Sequence, residues 1–131
     1  MKVTTSKSFF SALIGLGAKI VAGHCTVRQF RHYAIAFTKK GHIIKAAANK
    51  RVEGSLDYFS EHAEAAIVRK LYDINAFYRY KDICLFIGRF SADGKPALSE
   101  PCGDCRELLR RYGFYRIYYT VPGGIEYLGR L

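Results

Sequence analysis

Residues 83 to 90 read Ile-Cys-Leu-Phe-Ile-Gly-Arg-Phe, a near-continuous apolar run that suits a central strand covered on both faces. Covering both faces takes helices above and below a sheet. Phe9, Phe10, Leu13, Ile14, Leu16, Gly17, Ile20 and Val21 recur at helical spacing, with Ser11, Gly15, Lys19 and Ala22 on the other side. A second helix is expected from about His62 to Tyr72, with Ala63, Ala66, Ile67 and Leu71 as its buried stripe. A third runs from about Cys102 to Tyr112 and ends before Gly113, a left-handed cap. Tyr33 to Thr38 and His42 to Ala48 read as strands joined by the turn Lys39-Lys40-Gly41, a hairpin. Ser91 to Lys95, with Asp93-Gly94, reads as a turn, Tyr115 to Val121 as a strand and Ile125 to Leu128 as a short last one. This order of elements predicts an α/β layered sandwich with a mixed sheet of about five strands flanked by helices.

The length of 131 residues suits one domain over 1–131, with no linker, repeat or low-complexity segment. Half the residues are apolar and 15% aromatic, which argues against disorder. Lysine and arginine number 21 against 11 acidic residues, a net charge of +10 that favours an anionic partner: a nucleotide phosphate, a nucleic acid or an anionic surface. The basic pairs Lys39-Lys40, Lys50-Arg51, Arg69-Lys70 and Arg110-Arg111 are spread along the chain, as solvating surface charge is. Lys2 and Lys7 precede an apolar run as in a secretory signal, but the helical spacing there favours an amphipathic helix. No segment reaches the ~18 consecutive apolar residues of a transmembrane helix. Two of the four cysteines form a Cys-x-x-Cys after a proline, and thiolates that hold a metal require a reducing, cytoplasmic compartment.

The chemistry concentrates in two short segments, His62-Ala63-Glu64 and Pro101-Cys102-Gly103-Asp104-Cys105. They offer three zinc ligands, His62, Cys102 and Cys105, and one carboxylate, Glu64, that need not be a ligand. Structural zinc closes four protein ligands around the ion, whereas hydrolytic zinc keeps three and leaves a position for water. Cysteines three apart on a helix share one face, and Pro101 suits the start of that helix, where backbone N–H groups and the macrodipole favour thiolate. Near a first helical turn, His62 and Glu64 can converge on one point beyond the helix end. The cysteines alone also fit a redox pair or half of a structural zinc site.

His-x-Glu followed by Pro-Cys-x-x-Cys resembles the signature of the zinc-dependent cytidine/deoxycytidylate deaminase superfamily, and the order of elements agrees with the cytidine-deaminase-like fold over nearly the whole chain. The 39 residues between His62 and Cys102 leave room for the rest of a helix, a strand and a loop, as in that superfamily. The resemblance implies Zn2+ on His62, Cys102 and Cys105, with Glu64 moving protons between water, a ring nitrogen and the departing amine. It also implies a substrate contact from Asn49 at the end of the second strand, where a turn asparagine is equally expected. Ala63 belongs with Asn49 to the substrate-binding set. Tyr58 and Phe59 serve either to stack on a base or to fill core. Arg106 follows the second cysteine, where relatives use an arginine to hydrogen-bond the thiolates; a surface arginine is the other reading. Cys84 reads as a small core residue and Cys25 has no evident partner.

The substrate signals are mixed. Pro-Cys-Gly-x-Cys-Arg resembles the free-cytidine branch, yet that branch has cysteine where this chain has His62. Histidine there is usual in deoxycytidylate deaminases and in enzymes of tRNA, RNA or single-stranded DNA, while Asp104 departs from the methionine of the tRNA-adenosine branch. The expected activity is hydrolytic deamination of a cytosine-type nucleoside or nucleotide, releasing ammonia and giving the uracil product. A nucleic-acid deaminase is the alternative, supported by the charge and by basic residues among aromatics in Phe77-Tyr78-Arg79-Tyr80-Lys81 and 111–116. A non-catalytic basic binding module on the same scaffold is a third, against which Glu64 stands, because a scaffold needs no carboxylate there. The resemblance further implies a homodimer or homotetramer.

Overall fold

A computed structural model describes residues 7–24, 32–48, 50–51, 60–75, 82–91, 93–114 and 116–129. In it α1 spans Lys7–His24, β1 His32–Thr38, β2 Ile43–Ala48, β3 Lys50–Arg51, β4 Ser60–Glu61 and α2 Ala63–Asp73. β5 follows at Ile83–Arg89, α3 at Gly103–Arg111, β6 at Arg116–Val121 and β7 at Gly124–Tyr127. Five strands form one mixed sheet in the order β2-β1-β5-β6-β7, in which only β5 and β6 run parallel. That parallel pair is the one that needs a crossover, and α3 lies in it.

The expected hairpin forms, with Tyr33 opposite Ala48 and a bulge between Ala36 and Phe37. Gly41 takes φ +89° in its turn, and Thr38 N–H donates to the His42 carbonyl at 2.8 Å, so β2 begins one residue later than the sequence suggests. The pairing of β3 with β4, Lys50 opposite Glu61, was not legible in the sequence: two residues are too few to show a period.

Strand alternation sorts the core into two layers. On one face of the sheet Tyr33, Ile35, Phe37, Cys84, Phe86 and Tyr118 pack with Phe10 and Leu13 of α1. On the other, Ala34, Ala36, Leu85, Ile87 and Ile117 pack with Ala63, Ala66, Ile67 and Leu71 of α2 and Leu109 of α3. β5 is thus covered on both sides, which explains its unbroken apolar run. The apolar stripe of the first segment is the face by which α1 meets the sheet, while Ser11, Gly15, Lys19 and Ala22 are exposed. Among the described residues no helix is long and apolar enough to cross a membrane.

Gly113 has φ +78° and closes α3 with a pair of bonds, Gly113 N–H to Arg110 O at 3.1 Å and Phe114 N–H to Leu109 O at 3.1 Å. This is the Schellman arrangement, and Phe114 joins Leu109 in the same core layer. The cap turns the chain straight from α3 into β6.

Candidate active site

α2 and α3 pack beside each other on the alanine-rich face, and the two motifs stand at their N-termini. His62 is the N-cap of α2, with extended backbone at φ −64° and ψ 149°. Cys102 is the N-cap of α3, at φ −69° and ψ 170°. This corrects the sequence expectation that both cysteines lie along one helix face with Pro101 at its start. The helix begins at Gly103, Pro101 precedes the cap, and only Cys105 is helical. An extended N-cap aims its side chain past the helix end, so a short residue there reaches the same point as one three residues on.

Neither N-cap side chain bonds its own helix. Serine, threonine, aspartate or asparagine would cap the first-turn N–H groups; a histidine and a cysteine leave both helix ends facing the site with their partial positive charge. Ala63, assigned to substrate binding by resemblance, is the fully buried first residue of α2, and its side chain joins the core.

His62 Nδ1 lies 3.2 Å from Cys105 Sγ and 3.9 Å from Cys102 Sγ. The three donor atoms lie within 4.8 Å of one another. Donors that share a tetrahedral zinc at ~2.0–2.3 Å stand about 3.5 Å apart, so the observed separations fit one ion. The chemistry of the set fits as well. Burial pushes the Cys105 thiol far up, and the nearby Glu64 carboxylate and Cys102 add to the push. A buried thiol with a carboxylate against it gives up its proton when a cation takes the proton's place. His62 and Cys102 are exposed and Cys105 buried, which leaves the ligand cluster open on one side.

Glu64 sits in the first turn of α2, 5% exposed, and its carboxylate is near enough to the Cys105 thiol to raise its pKa. Buried carboxylates are rare without a partner. This one faces the ligand cluster.

The Arg106 guanidinium contacts Glu100 and donates from Nε to the Pro101 carbonyl at 3.3 Å, clamping the segment that leads into Cys102. A buried pair holds that segment from the other end. Ser99 Oγ donates to Ile87 O at 2.8 Å, and Thr120 Oγ1 donates to Ala97 O at 2.7 Å. Ala97 N–H donates to Arg89 O at 2.9 Å. Residues 97–101 are thereby laid across the ends of β5 and β6, and Cys102 arrives at that end of the sheet. Asn49, Tyr58 and Phe59, the other substrate-binding expectations, lie outside the described residues, as do Cys25 and 77–81. Cys84 is fully buried beneath α1, which pushes its thiol up to about 11.

Two site neighbours were missed from the sequence. His32 opens β1 on the same face as Ala34 and Ala36, and Arg89 stands directly opposite it on β5. Burial first, then Arg89 and His62, depress the His32 imidazole to about 4. Strand alternation alone would have put His32 on the site face, had β1 been extended by one residue.

A cavity of about 770 Å³ lies elsewhere, between α1 and the β6–β7 turn, lined by Phe10, Ile14, Tyr118 and Tyr127 among others. None of His62, Glu64, Cys102 or Cys105 lines it. The candidate site is therefore assigned by its donor chemistry and not by volume.

Comparison with solved structures points the same way. The chain is similar to dCMP deaminase from the cyanophage S-TIM5 at TM-score 0.61 and 17% identity, over 88% of this chain and 84% of that one. Cytidine deaminase from Mycobacterium leprae matches at TM-score 0.59 and 20% identity, over 90% and 92%. That from Mycobacterium tuberculosis matches at 0.62 and 21%, over 91% and 89%. The fold is cytidine-deaminase-like. No family model matches the chain, and no curated protein matches it by sequence. Within this deaminase-like fold, one histidine and two cysteines are positioned to bind a metal, as the sequence motif requires.

Proposed function

We propose that the protein is a zinc-dependent hydrolase that deaminates a cytosine-type nucleoside or nucleotide, releasing ammonia and leaving the uracil product. The observation that carries this reading is the buried Glu64 carboxylate set against a three-donor cluster. Three ligands serve a reaction site, and a site meant only for structure gains nothing from a carboxylate beside it. The deaminase-like fold supports the same reading.

His62, Cys102 and Cys105 would hold the ion. When bound, zinc supplies a Lewis acid that polarises water and brings its pKa towards ~7. Glu64 accepts the proton that water loses, delivers it to the ring nitrogen next to the amino-bearing carbon, and then assists protonation of the leaving amine. The carbon–nitrogen bond breaks, a carbonyl replaces it and ammonia departs, so one carboxylate returns to its starting state each turnover. The N-termini of α2 and α3 place backbone N–H groups at the rim, where they can orient the base. We assign Asn49, Ala63, Tyr58 and Phe59 to substrate binding and Arg106 to the support of Cys102. The protein would act as a single domain, in a reducing cytoplasmic compartment, and as a homodimer or homotetramer.

The test is direct. Purified protein should carry near one zinc per chain and release ammonia from cytidine, deoxycytidine or one of their monophosphates, and Glu64→Gln should keep the zinc and lose the ammonia. One zinc with no turnover of any cytosine compound would overturn the reading in favour of a scaffold role.

A further inference from the structure

Four arginines near α3 and the sheet ends are held by carboxylates, and among the described residues a fifth on β5 is not. Arg106 is engaged by Glu100, Arg110 and Arg111 by Glu107, and Arg116 by Asp82. Arg89 is exposed and has no carboxylate partner among the described residues. Its place is set by backbone. Register puts it opposite His32, and strand alternation puts both on the α2 face, with Ile87 and Ala34 as the neighbouring inward residues. Cross-strand partners have Cβ atoms ~5 Å apart. The Arg89 carbonyl accepts from Ala97 and its N–H donates to Thr120 Oγ1 at 3.3 Å, so the residue that carries the guanidinium is fixed to the same segment that delivers Cys102. Burial first, and then the Arg89 and His62 charges, depress the His32 imidazole, in keeping with the register that sets His32 and Arg89 side by side at this end of the sheet.

A free guanidinium beside a site is an anion receptor, and its fork matches a phosphate in bidentate geometry. The cluster already gathers a carboxylate and two thiols, so an anionic substrate group needs a separate cation at the rim. We infer that Arg89, presented opposite His32 at the end of β5, binds the 5′-phosphate of the substrate, which makes that substrate a nucleoside 5′-monophosphate and not the free nucleoside. The inference rests on the deaminase reading above and narrows it.

The experiment compares wild type with Arg89→Gln, an exposed change away from the core, against deoxycytidine and dCMP in turnover and against deoxyuridine and dUMP in equilibrium binding by calorimetry. In wild type the monophosphates should bind and turn over with a preference of about 10- to 100-fold, as expected for charge-assisted hydrogen bonds to a phosphate. In Arg89→Gln that preference should collapse through KM and the dUMP dissociation constant, while nucleoside turnover and kcat stay within about twofold. Equal affinity of wild type for deoxyuridine and dUMP would overturn the inference and leave the deaminase reading standing. So would a preference that survives Arg89→Gln, or turnover of a cytosine-bearing single strand in place of dCMP. Absence of ammonia from every cytosine compound would instead remove the deaminase reading on which the inference rests.

Discussion

The two faces of the central sheet are built from different side chains and do different work. Beneath α1 the layer is aromatic: Phe10 stacks on Phe86 at 5.6 Å, Tyr33 on Phe90 at 5.5 Å, and Phe9 meets Phe37 edge-on at 5.1 Å. Beneath α2 and α3 the buried layer is aliphatic except for Phe114, and five of its members are alanines, Ala34, Ala36, Ala47, Ala63 and Ala66. Rings bury large areas and fill a thick layer. Alanines on both a strand and the helix over it allow close approach, and close approach is what brings the N-terminus of α2 to the end of the sheet where Cys102 arrives. One face supplies bulk, the other supplies position. The aromatic face leaves no room beside Tyr33, since a Cβ added at Gly17 or Gly88 would fall 2.2 or 2.0 Å from its ring.

If that division holds, substitutions on the two faces separate activity from stability. The largest effect belongs to Glu64→Gln, which should lower the turnover number by roughly 10²–10⁴, the usual range for removing a general acid–base group, with melting temperature and zinc content little changed. Loss of fold instead of rate would break the comparison. On the opposite face, Leu13→Ala should cost about 2–5 kcal/mol in urea unfolding, and Gly88→Ala about 1–3 kcal/mol through overpacking against Tyr33. In both, the rate per folded, zinc-loaded molecule should stay unchanged.

Tyr33 sharpens the picture with a smaller effect of opposite sign. Its hydroxyl is buried with no hydrogen-bond partner among the described residues, and burial raises its pKa. Tyr33→Phe removes an unsatisfied polar atom and keeps the ring, so stability should rise by about 1 kcal/mol; a fall would show a partner for the hydroxyl.

The smallest expected signal lies at the site rim. His32 is depressed from 6.5 to about 4 in the folded protein, so the unfolded chain binds this proton first. Its contribution to stability is complete above about 6.5 and is lost as pH falls from there towards about 4. An imidazole titration followed by NMR should therefore place His32 near 4, and His32→Gln should flatten the acid limb of the stability profile. Titration near 6.5 would mean that the imidazole is neither buried nor close to the Arg89 and His62 charges.

How much of this could be read beforehand follows from where the signals are periodic. The unbroken run from Ile83 announced a strand between two layers, the 3.6-residue spacing of Phe10, Leu13 and Gly17 announced α1, and Gly113 announced the end of α3. The metal donors and Glu64 were legible as residue types at a spacing, because ligation demands particular atoms. Pro101 misled, since a proline marks the region of a helix start without saying which residue caps it. The β3–β4 pair was too short to show a pattern.

By itself, then, the sequence determined the three helices and the five strands of the main sheet, the two-sided cover of β5 and the identity of the candidate metal donors, all of which follow from local periodicity and from side-chain chemistry. Only the tertiary structure decided that Cys102 leaves its helix to meet His62, that Glu64 is buried near Cys105, and that Arg89 stands opposite His32 without an acidic partner among the described residues. Those are facts of register and of layers pressed together, distances between residues tens of positions apart, and no local pattern in a chain encodes them.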